Sequence, residues 1–364
     1  MNPKHIAIVH EWLTSYGGSE RVLVEVLKIF PQASLFALIH DDKNFRGTPL
    51  AGRAVRTSFL QKIPRVQKFY RALLPLMPRA IESLNLRGYD LVISLSHAVA
   101  HGAKTARDQT HISLICTPMR YAWHMQDDYL RLHRLNLPLI KFATHRALSG
   151  LRNWDVSAAA RADSLLAISA WTASHIREYW RRDAQVIYPP VSVERFVPAQ
   201  QRDDFYLFVA RLVPYKRSLE IVRAFNLLGL PLIVIGDGPD LPKLKSLAKE
   251  NIQILGPQPD SVVTDLMNRA RAFVYMAAED FGIVMAEAQA AGCPVIAYAE
   301  GGASEIVRDC ETGLLFHEQT AESLAEAVTQ SRKMHFAPES ARRNAMRFSS
   351  ERFREEFLKE VGRA

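Results

Sequence analysis

The sequence predicts an α/β protein of two doubly wound domains facing a cleft, and three observations carry that expectation. At 364 residues the chain is about twice the usual domain length. Short apolar runs alternate with helical patterns twice over, once from Ile6 and again from Phe205. Between the two series, Val186-Ile187-Tyr188-Pro189-Pro190-Val191 and a polar stretch to Gln201 read as a strand leaving one domain and a proline-stiffened crossing. The expected domains are 1–188 and 189–348, with 349–364 as a C-terminal helix returning to the first.

The first series opens with the apolar run Ile6–Val9, a loop ending in Gly17-Gly18, and a helical pattern with Val22, Val26 and Ile29 on one face beside Leu23 and Leu27. Further strand-like runs are Leu35–Ile39, Leu91–Leu95, Ile112–Cys116 and Leu165–Ser169, with helix expected within Leu137–Ala160. The second series has Tyr206–Val209, Leu232–Ile235, Ile252–Leu255, Ala272–Tyr275, Val295–Ala297 and Leu314–Phe316. Their spacing of about 20 residues suits compact βα units with strands buried on both faces. Phe353, Phe357 and Val361 recur every fourth position in the last helix.

Composition narrows the class. With 48% hydrophobic and 23% charged residues the chain is ordinary globular protein, not disordered, collagenous or built on a disulfide framework. Its longest apolar stretch, Ile29–His40, contains a proline and stops at Asp41, well short of the roughly 18–20 uncharged residues of a spanning helix. The start MNPKHIAIVHEW has no apolar h-region, so no secretory signal is expected. Cys116, Cys293 and Cys310 are odd in number and widely spaced, which suits reduced thiols in the cytoplasm.

The net charge of +8 is concentrated. Residues 51–80 hold seven bases (Arg53, Arg56, Lys62, Arg65, Lys68, Arg71 and Arg79) and no acid, interleaved with Phe59, Leu60, Ile63, Phe69, Tyr70, Leu73, Leu74, Leu76 and Met77. Such a surface can dock on an anionic membrane face, each Lys or Arg adding about 1 kcal/mol. A solvated helix pair packed on its own domain is the plainer alternative; nucleic acid is not the expected partner.

The most informative stretch is Ala277–Gln289, which leaves a strand and opens a helix. A strand's carboxyl end meeting a helix N-terminus is where open α/β sheets bind phosphorylated ligands. The amides of Phe281, Gly282 and Ile283 are placed to meet an anion with the helix dipole behind them. Glu287 lies in the helix and Glu279 in the loop bending over its start, so the two carboxylates can take hydroxyls at opposite ends of one elongated ligand.

Glu279-Asp280-Phe281-Gly282-Ile283 with Glu287, then Ala291-Gly292-Cys293-Pro294-Val295-Ile296 and Gly301-Gly302-Ala303-Ser304-Glu305-Ile306-Val307, resembles the signature of family 4 retaining glycosyltransferases of the GT-B fold. Ala210-Arg211-Leu212-Val213-Pro214-Tyr215-Lys216 is similar to that family's basic segment, with Ala210 where glycine is commoner. The resemblance implies that Arg211 and Lys216 hold a donor's diphosphate and neutralise it as it leaves, that Glu287 takes the ribose, and that Glu279 with the 281–283 amides takes phosphate and sugar. These residues, with Gly17 and Gly18 at the first domain's helix start, are the expected site. Gly236 and Gly238 are expected to serve a turn, and His10 and Glu11 to line the acceptor side. Where many members carry a histidine near the transferred sugar, this chain has Cys116; His97, His101 or His124 can stand in.

Segments such as His10-Glu11-Trp12-Leu13, Ser94-Leu95-Ser96-His97-Ala98-Val99-Ala100 and Arg120-Tyr121-Ala122-Trp123 extend the resemblance over nearly the whole chain. They look like bacterial mannosyltransferases of O-antigen and exopolysaccharide assembly. That implies GDP-mannose as donor and a lipid-linked saccharide as acceptor, with the enzyme in the cytoplasm, peripheral on the inner face of the cell membrane. Closure of a hinge at 188–200 is expected to bring Gly17-Gly18 across and expel water. No Asp-x-Asp spacing or metal-ligand motif occurs in the chain, and no metal or other cofactor is expected. A UDP-sugar donor, a nucleotide-sugar epimerase of the same fold and a non-catalytic membrane-docked assembly subunit are the alternatives.

Overall fold

The computed structural model describes residues 5–123, 138–199 and 201–363. They form two α/β units, Met1–Tyr188 with Phe353–Ala364, and Pro189–Arg352. The first contains strands β1 (Ile6–Leu13), β2 (Ser34–His40), β3 (Val55–Thr57), β4 (Leu91–Ser96), β5 (Thr110–Ile115), β6 (Ser164–Ala167) and β7 (Gln185–Val186). They lie in the order β3-β2-β1-β4-β5-β6-β7, every pairing parallel. The second contains β8 (Tyr206–Val209), β9 (Leu232–Ile235), β10 (Ile252–Gly256), β11 (Ala272–Tyr275), β12 (Val295–Tyr298) and β13 (Gly313–Phe316). Their order is β10-β9-β8-β11-β12-β13, again all parallel. Strand order reverses between β1 and β4 in one sheet and between β8 and β11 in the other. Each reversal is a topological switch point, where the crevice at the strands' carboxyl ends receives ligands.

The apolar runs end where the expected strands end, within a few residues. The largest extension is β1, which carries four residues past Val9: His10 and Glu11, polar as they are, are wholly buried, and Glu11 takes backbone N–H groups of residues 97–100. Helix Gly18–Ile29 buries Val22, Leu23, Val26 and Leu27, the face its periodicity defines. Helix Ser350–Val361 belongs mostly to the first unit: Phe353 and Phe357 are buried and stacked at 5.6 Å, and Arg354 pairs with Glu25 at 2.6 Å.

Residues 51–80 differ from the helix pair that the sequence allows. They form edge strand β3, three 3₁₀ turns at Phe59–Lys62, Val66–Lys68 and Tyr70–Leu76, and the short helix Met77–Glu82. Pro64, Pro75 and Pro78 remove the amides a continuous helix needs. The amphipathic pattern is kept all the same. Leu60, Val66, Tyr70, Leu74 and Met77 enter the core, while Arg56, Lys62, Arg65, Lys68, Arg71 and Arg79 stay exposed beside Phe59, Phe69 and Leu76. Among the described residues no helix is long and apolar enough to cross a membrane.

Candidate functional site

The loops after β8 and β11 meet at the second unit's switch point. The loop after β8 is shaped by two glycines of the turn that follows β9. A Cβ on Gly236 would lie 1.8 Å from the Ala210 carbonyl oxygen, and one on Gly238 2.2 Å from that of Leu212. The Leu212 N–H donates to the Asp237 carbonyl at 2.8 Å, and the Asp240 N–H to that of Leu212 at 3.1 Å. These glycines therefore build the turn, and through it the backbone that carries Arg211. A 3₁₀ turn, Pro214–Lys216, then delivers Lys216 inward.

Lys216, Tyr275 and Glu279 form a closed, nearly buried triad. The Lys216 ammonium donates to the Tyr275 hydroxyl at 2.8 Å and ion-pairs with Glu279 Oε1; the Tyr275 hydroxyl donates to the same oxygen at 3.1 Å. The Lys216 and Glu279 side chains are only 12% and 11% exposed. Burial works against the ammonium, but Tyr275 and Glu279 outweigh it and its pKa is raised. Burial together with Glu279 also pushes the Tyr275 hydroxyl up, so it stays protonated at neutral pH. Tyr275 escaped the sequence reading because it looks like one more apolar strand residue; its place four before Glu279, at the strand's last position, was the available signal.

The loop from Glu279 to Gly282 rests on two further glycines. The Gly302 N–H donates to the Glu279 carbonyl at 2.8 Å, and Glu279 and Gly301 form an isolated parallel bridge. A Cβ would lie 2.3 Å from the Glu279 carbonyl oxygen at Gly301, where φ is +73°, and 2.0 Å from that of Phe281 at Gly302. Phe281, 2% exposed, fixes the loop from below against Phe348 at 5.2 Å. Gly282, with φ +92°, then starts helix Ile283–Ala290, where the Met285 N–H turns back to the Gly282 carbonyl at 2.9 Å. Glu287 sits on that helix with its side chain 12% exposed, 3.9 Å from Arg195 Nη1. Arg195 also reaches Asp260 at 3.7 Å and the Thr264 hydroxyl at 3.1 Å, and no sequence pattern marked it. Arg211 is exposed, and among the described residues no ion pair holds its guanidinium.

The expected residues of this unit thus assemble in two places along one helix start, a carboxylate–ammonium pair in front and a second carboxylate one turn behind. Residues 193–347 match the family model of glycosyl transferases group 1. That span holds Arg195, Arg211, Lys216, Tyr275, Glu279 and Glu287, and excludes the first unit. Among curated proteins, the chain is 30% identical over 204 residues to a GDP-mannose-dependent alpha-(1-6)-phosphatidylinositol monomannoside mannosyltransferase of Mycobacterium tuberculosis, covering 46% of this chain and 52% of that one. It is 29% identical over 179 residues to an uncharacterized glycosyltransferase of Methanocaldococcus jannaschii, covering 48% and 50%. The chain spans about half the length of these curated relatives. Among solved structures, Anabaena HepE in complex with UDP-glucose superposes with a TM-score of 0.70 at 16% identity, over 99% of this chain and 100% of that one. Sucrose-phosphate synthase from Thermosynechococcus elongatus gives 0.74 at 16% identity, over 99% of both. The fold is the GT-B class of two Rossmann-like domains.

Outside the span of the group 1 model, the first unit places its expected residues differently. Gly17 precedes helix Gly18–Ile29 in extended backbone, and its N–H is taken by Glu20 Oε2 at 2.9 Å. Neither its φ of −147° nor crowding demands a glycine there, since an added Cβ would come no nearer than 3.4 Å to Glu20. His10 and Glu11 are wholly buried and line no open surface, contrary to expectation. His101 is buried as well, between the Ser96 hydroxyl at 3.0 Å and Asp155 at 3.2 Å. Asp155 also accepts the indole N–H groups of Trp123 and Trp180 at 2.8 and 2.7 Å, so His101 is a structural link. Cys116 is half-buried, and His124 lies outside the described residues.

Proposed function

We propose that the protein is a retaining glycosyltransferase that moves mannose from GDP-mannose to a lipid-linked saccharide of polysaccharide assembly. The observation that carries the transferase reading is the Lys216–Tyr275–Glu279 triad at a switch point, with Glu287 on the helix behind it. An ammonium has three N–H groups; two are engaged by Tyr275 and Glu279, and the third is available to a phosphate oxygen. Lys216 and the exposed Arg211 then hold the donor's diphosphate and neutralise the charge that grows as it departs. Glu287 takes the ribose hydroxyls, and Glu279 with the 281–283 amides takes phosphate and sugar. In this reading the protein supplies that neutralisation without a metal. The acceptor hydroxyl attacks the anomeric carbon from the face the diphosphate leaves, the new C–O bond forming as the bond to the diphosphate breaks and the hydroxyl proton passing to the departing phosphate oxygen, so configuration is retained.

The mannose and its guanine carrier are supported by the sequence resemblance and by the mycobacterial relative, which is named as GDP-mannose-dependent. A UDP-sugar donor is the second reading, supported by the UDP and UDP-glucose complexes of HepE. Calorimetric titration with GDP-mannose, UDP-glucose and UDP-N-acetylglucosamine, without added metal, separates the two. Selective binding of GDP-mannose is expected. Selective uridine-nucleotide binding would keep the transferase and remove the mannose, and no binding to any donor would remove the transferase.

An acceptor anchored in lipid calls for a protein that reaches the bilayer. The six exposed bases of residues 51–80, with Phe59, Phe69 and Leu76 at 40–44% exposure among them, form the surface we assign to that task. At about 1 kcal/mol per base near an anionic leaflet, four engaged bases give weak, salt-sensitive docking. Sedimentation with vesicles containing anionic lipid is expected to carry the protein down at low salt. Release is expected in about 0.5 M salt, where screening is nearly complete, and in Phe59→Ser/Phe69→Ser. Equal sedimentation with neutral vesicles would exclude an electrostatic docking face.

A further inference from the structure

The first unit has its own switch point, between β1 and β4, and it carries a cluster that the donor site does not use. Glu11 near the end of β1 is fully buried, and its Oε1 accepts the backbone N–H groups of His97, Ala98, Val99 and Ala100 at 2.8–3.0 Å. The Ser96 hydroxyl donates to the same oxygen at 3.1 Å. Successive amides converging on one oxygen make a nest for an anion. The other oxygen, Oε2, lies 2.7 Å from Nδ1 of His97, the residue that directly follows β4.

His97 reaches the surface, unlike the carboxylates and the second histidine beside it. Its side chain is 24% exposed, whereas Glu11 and His10 are wholly buried and Glu20 nearly so. Edge-on contacts with Trp12 at 4.7 Å and His10 at 5.7 Å fix the ring plane. Its Nε2 has no hydrogen-bond partner among the described residues. The second unit also pairs a nitrogen base with a carboxylate across its switch point, Lys216 after β8 with Glu279 after β11.

We propose that His97 is the hydroxyl-binding residue of the first unit, its neutral ring donating Nδ1–H toward Glu11 and accepting at Nε2 the hydrogen bond of an acceptor saccharide's hydroxyl. Glu11 is its positioning residue. The assignment rests on the transfer reading above for its acceptor, and goes beyond it in naming the group that takes the attacking side's hydroxyl. Only the neutral ring can accept at Nε2. The charges facing it are Glu11 and His10 from β1, Glu20 from helix Gly18–Ile29, and Arg120 beyond β5. Burial and Arg120 lower its pKa, but Glu11 and Glu20 outweigh them and the net shift is upward. Binding of the hydroxyl should therefore fail on the acid side of a pH above histidine's ordinary value of about 6.5.

The test measures nucleotide release from GDP-mannose with lipid-diphosphate-linked saccharides extracted from bacterial membranes, as kcat and KM for the acceptor across pH. His97→Ala is expected to lower kcat/KM for acceptor about tenfold or more while donor binding by calorimetry is unchanged. His97→Gln, whose amide oxygen can accept a hydrogen bond, should recover part of the loss and abolish the acid limb. Glu11→Gln, which turns an amide N–H toward Nδ1 and so shifts the neutral ring's proton to Nε2, should lower kcat/KM for acceptor as His97→Ala does. Normal acceptor kcat/KM in His97→Ala, or the same acid limb in His97→Gln, would overturn the assignment. So would activity that rises as pH falls, which would make the imidazolium the competent form. If the wild type releases nucleotide from neither GDP-mannose nor UDP-glucose, the transfer reading itself fails and takes the acceptor assignment with it.

Discussion

Lys216→Met is expected to lower sugar transfer about 10²–10³-fold, the loss typical of removing one preorganised donor to a developing negative charge. The same change leaves the nearly buried Glu279 with only the Tyr275 hydroxyl, and breaking such a pair from one side costs about 3–5 kcal/mol. A drop in activity alone would therefore not separate catalysis from folding. Adding Glu279→Gln resolves this, because a neutral amide beside the apolar methionine side chain needs no counter-charge. The double variant should regain most of the lost stability and none of the transfer. Thermal unfolding and nucleotide release, measured on both variants, make the comparison; transfer that recovers along with stability would show that Lys216 only holds the fold. The ion pair is also expected to be insensitive to pH across the working range. A lysine pKa raised on folding contributes fully below the ordinary value of about 10.4 and loses its contribution only as pH climbs through the raised one.

Glu11→Ala is expected to be the most destabilising single change in the first unit. It strands four adjacent backbone N–H groups inside the protein, each costing about 1–3 kcal/mol if no water reaches it, while the Ser96 hydroxyl keeps His101 Nδ1 at 3.0 Å. The first unit should lose at least about 3–5 kcal/mol, and with two units melting, calorimetry should show the two transitions draw apart. Glu11→Gln keeps an acceptor oxygen and should be the milder change. The amides and His97 hold the Glu11 carboxyl far below the ordinary range in spite of burial. Its contribution is therefore complete above about pH 4.3 and is lost only as pH falls toward the depressed value. A melting curve of Glu11→Ala that overlays the wild type at pH 7 would refute the anion nest as a stabilising element.

The strands and the second unit's site were legible because both write themselves into short, contiguous patterns. Parallel strands buried on both faces read as apolar runs, and Glu279, Gly282 and Glu287 sit within nine residues of one strand-to-helix turn. What escaped depends on distance along the chain. Gly301 and Gly302 stood in a recognisable motif, but their duty, admitting the carbonyls of residues 279 and 281, exists only once β12 lies beside β11. Arg195 meets Glu287 from 92 residues away, and Glu11 meets the amides of 97–100 from the neighbouring strand. For Glu11 the sequence even misleads: a carboxylate at a strand's end reads as ligand-facing, and here it faces inward because a loop has wrapped its donors around it. Residues 51–80 kept the amphipathic alternation that the sequence shows, while three prolines denied it a helix.

The last helix has a consequence for the order in which the protein can be made. Because Phe353–Ala364 packs with Met1–Tyr188, the unit begun first cannot be finished until residues 353–364 have been made. Residues 189–352 hold every strand of their sheet and can close their core before residues 353–364 emerge. The nascent first unit must wait with the site of Phe353 and Phe357 uncovered and Glu25 lacking Arg354. Completion of the first unit is thereby postponed until the second has been made.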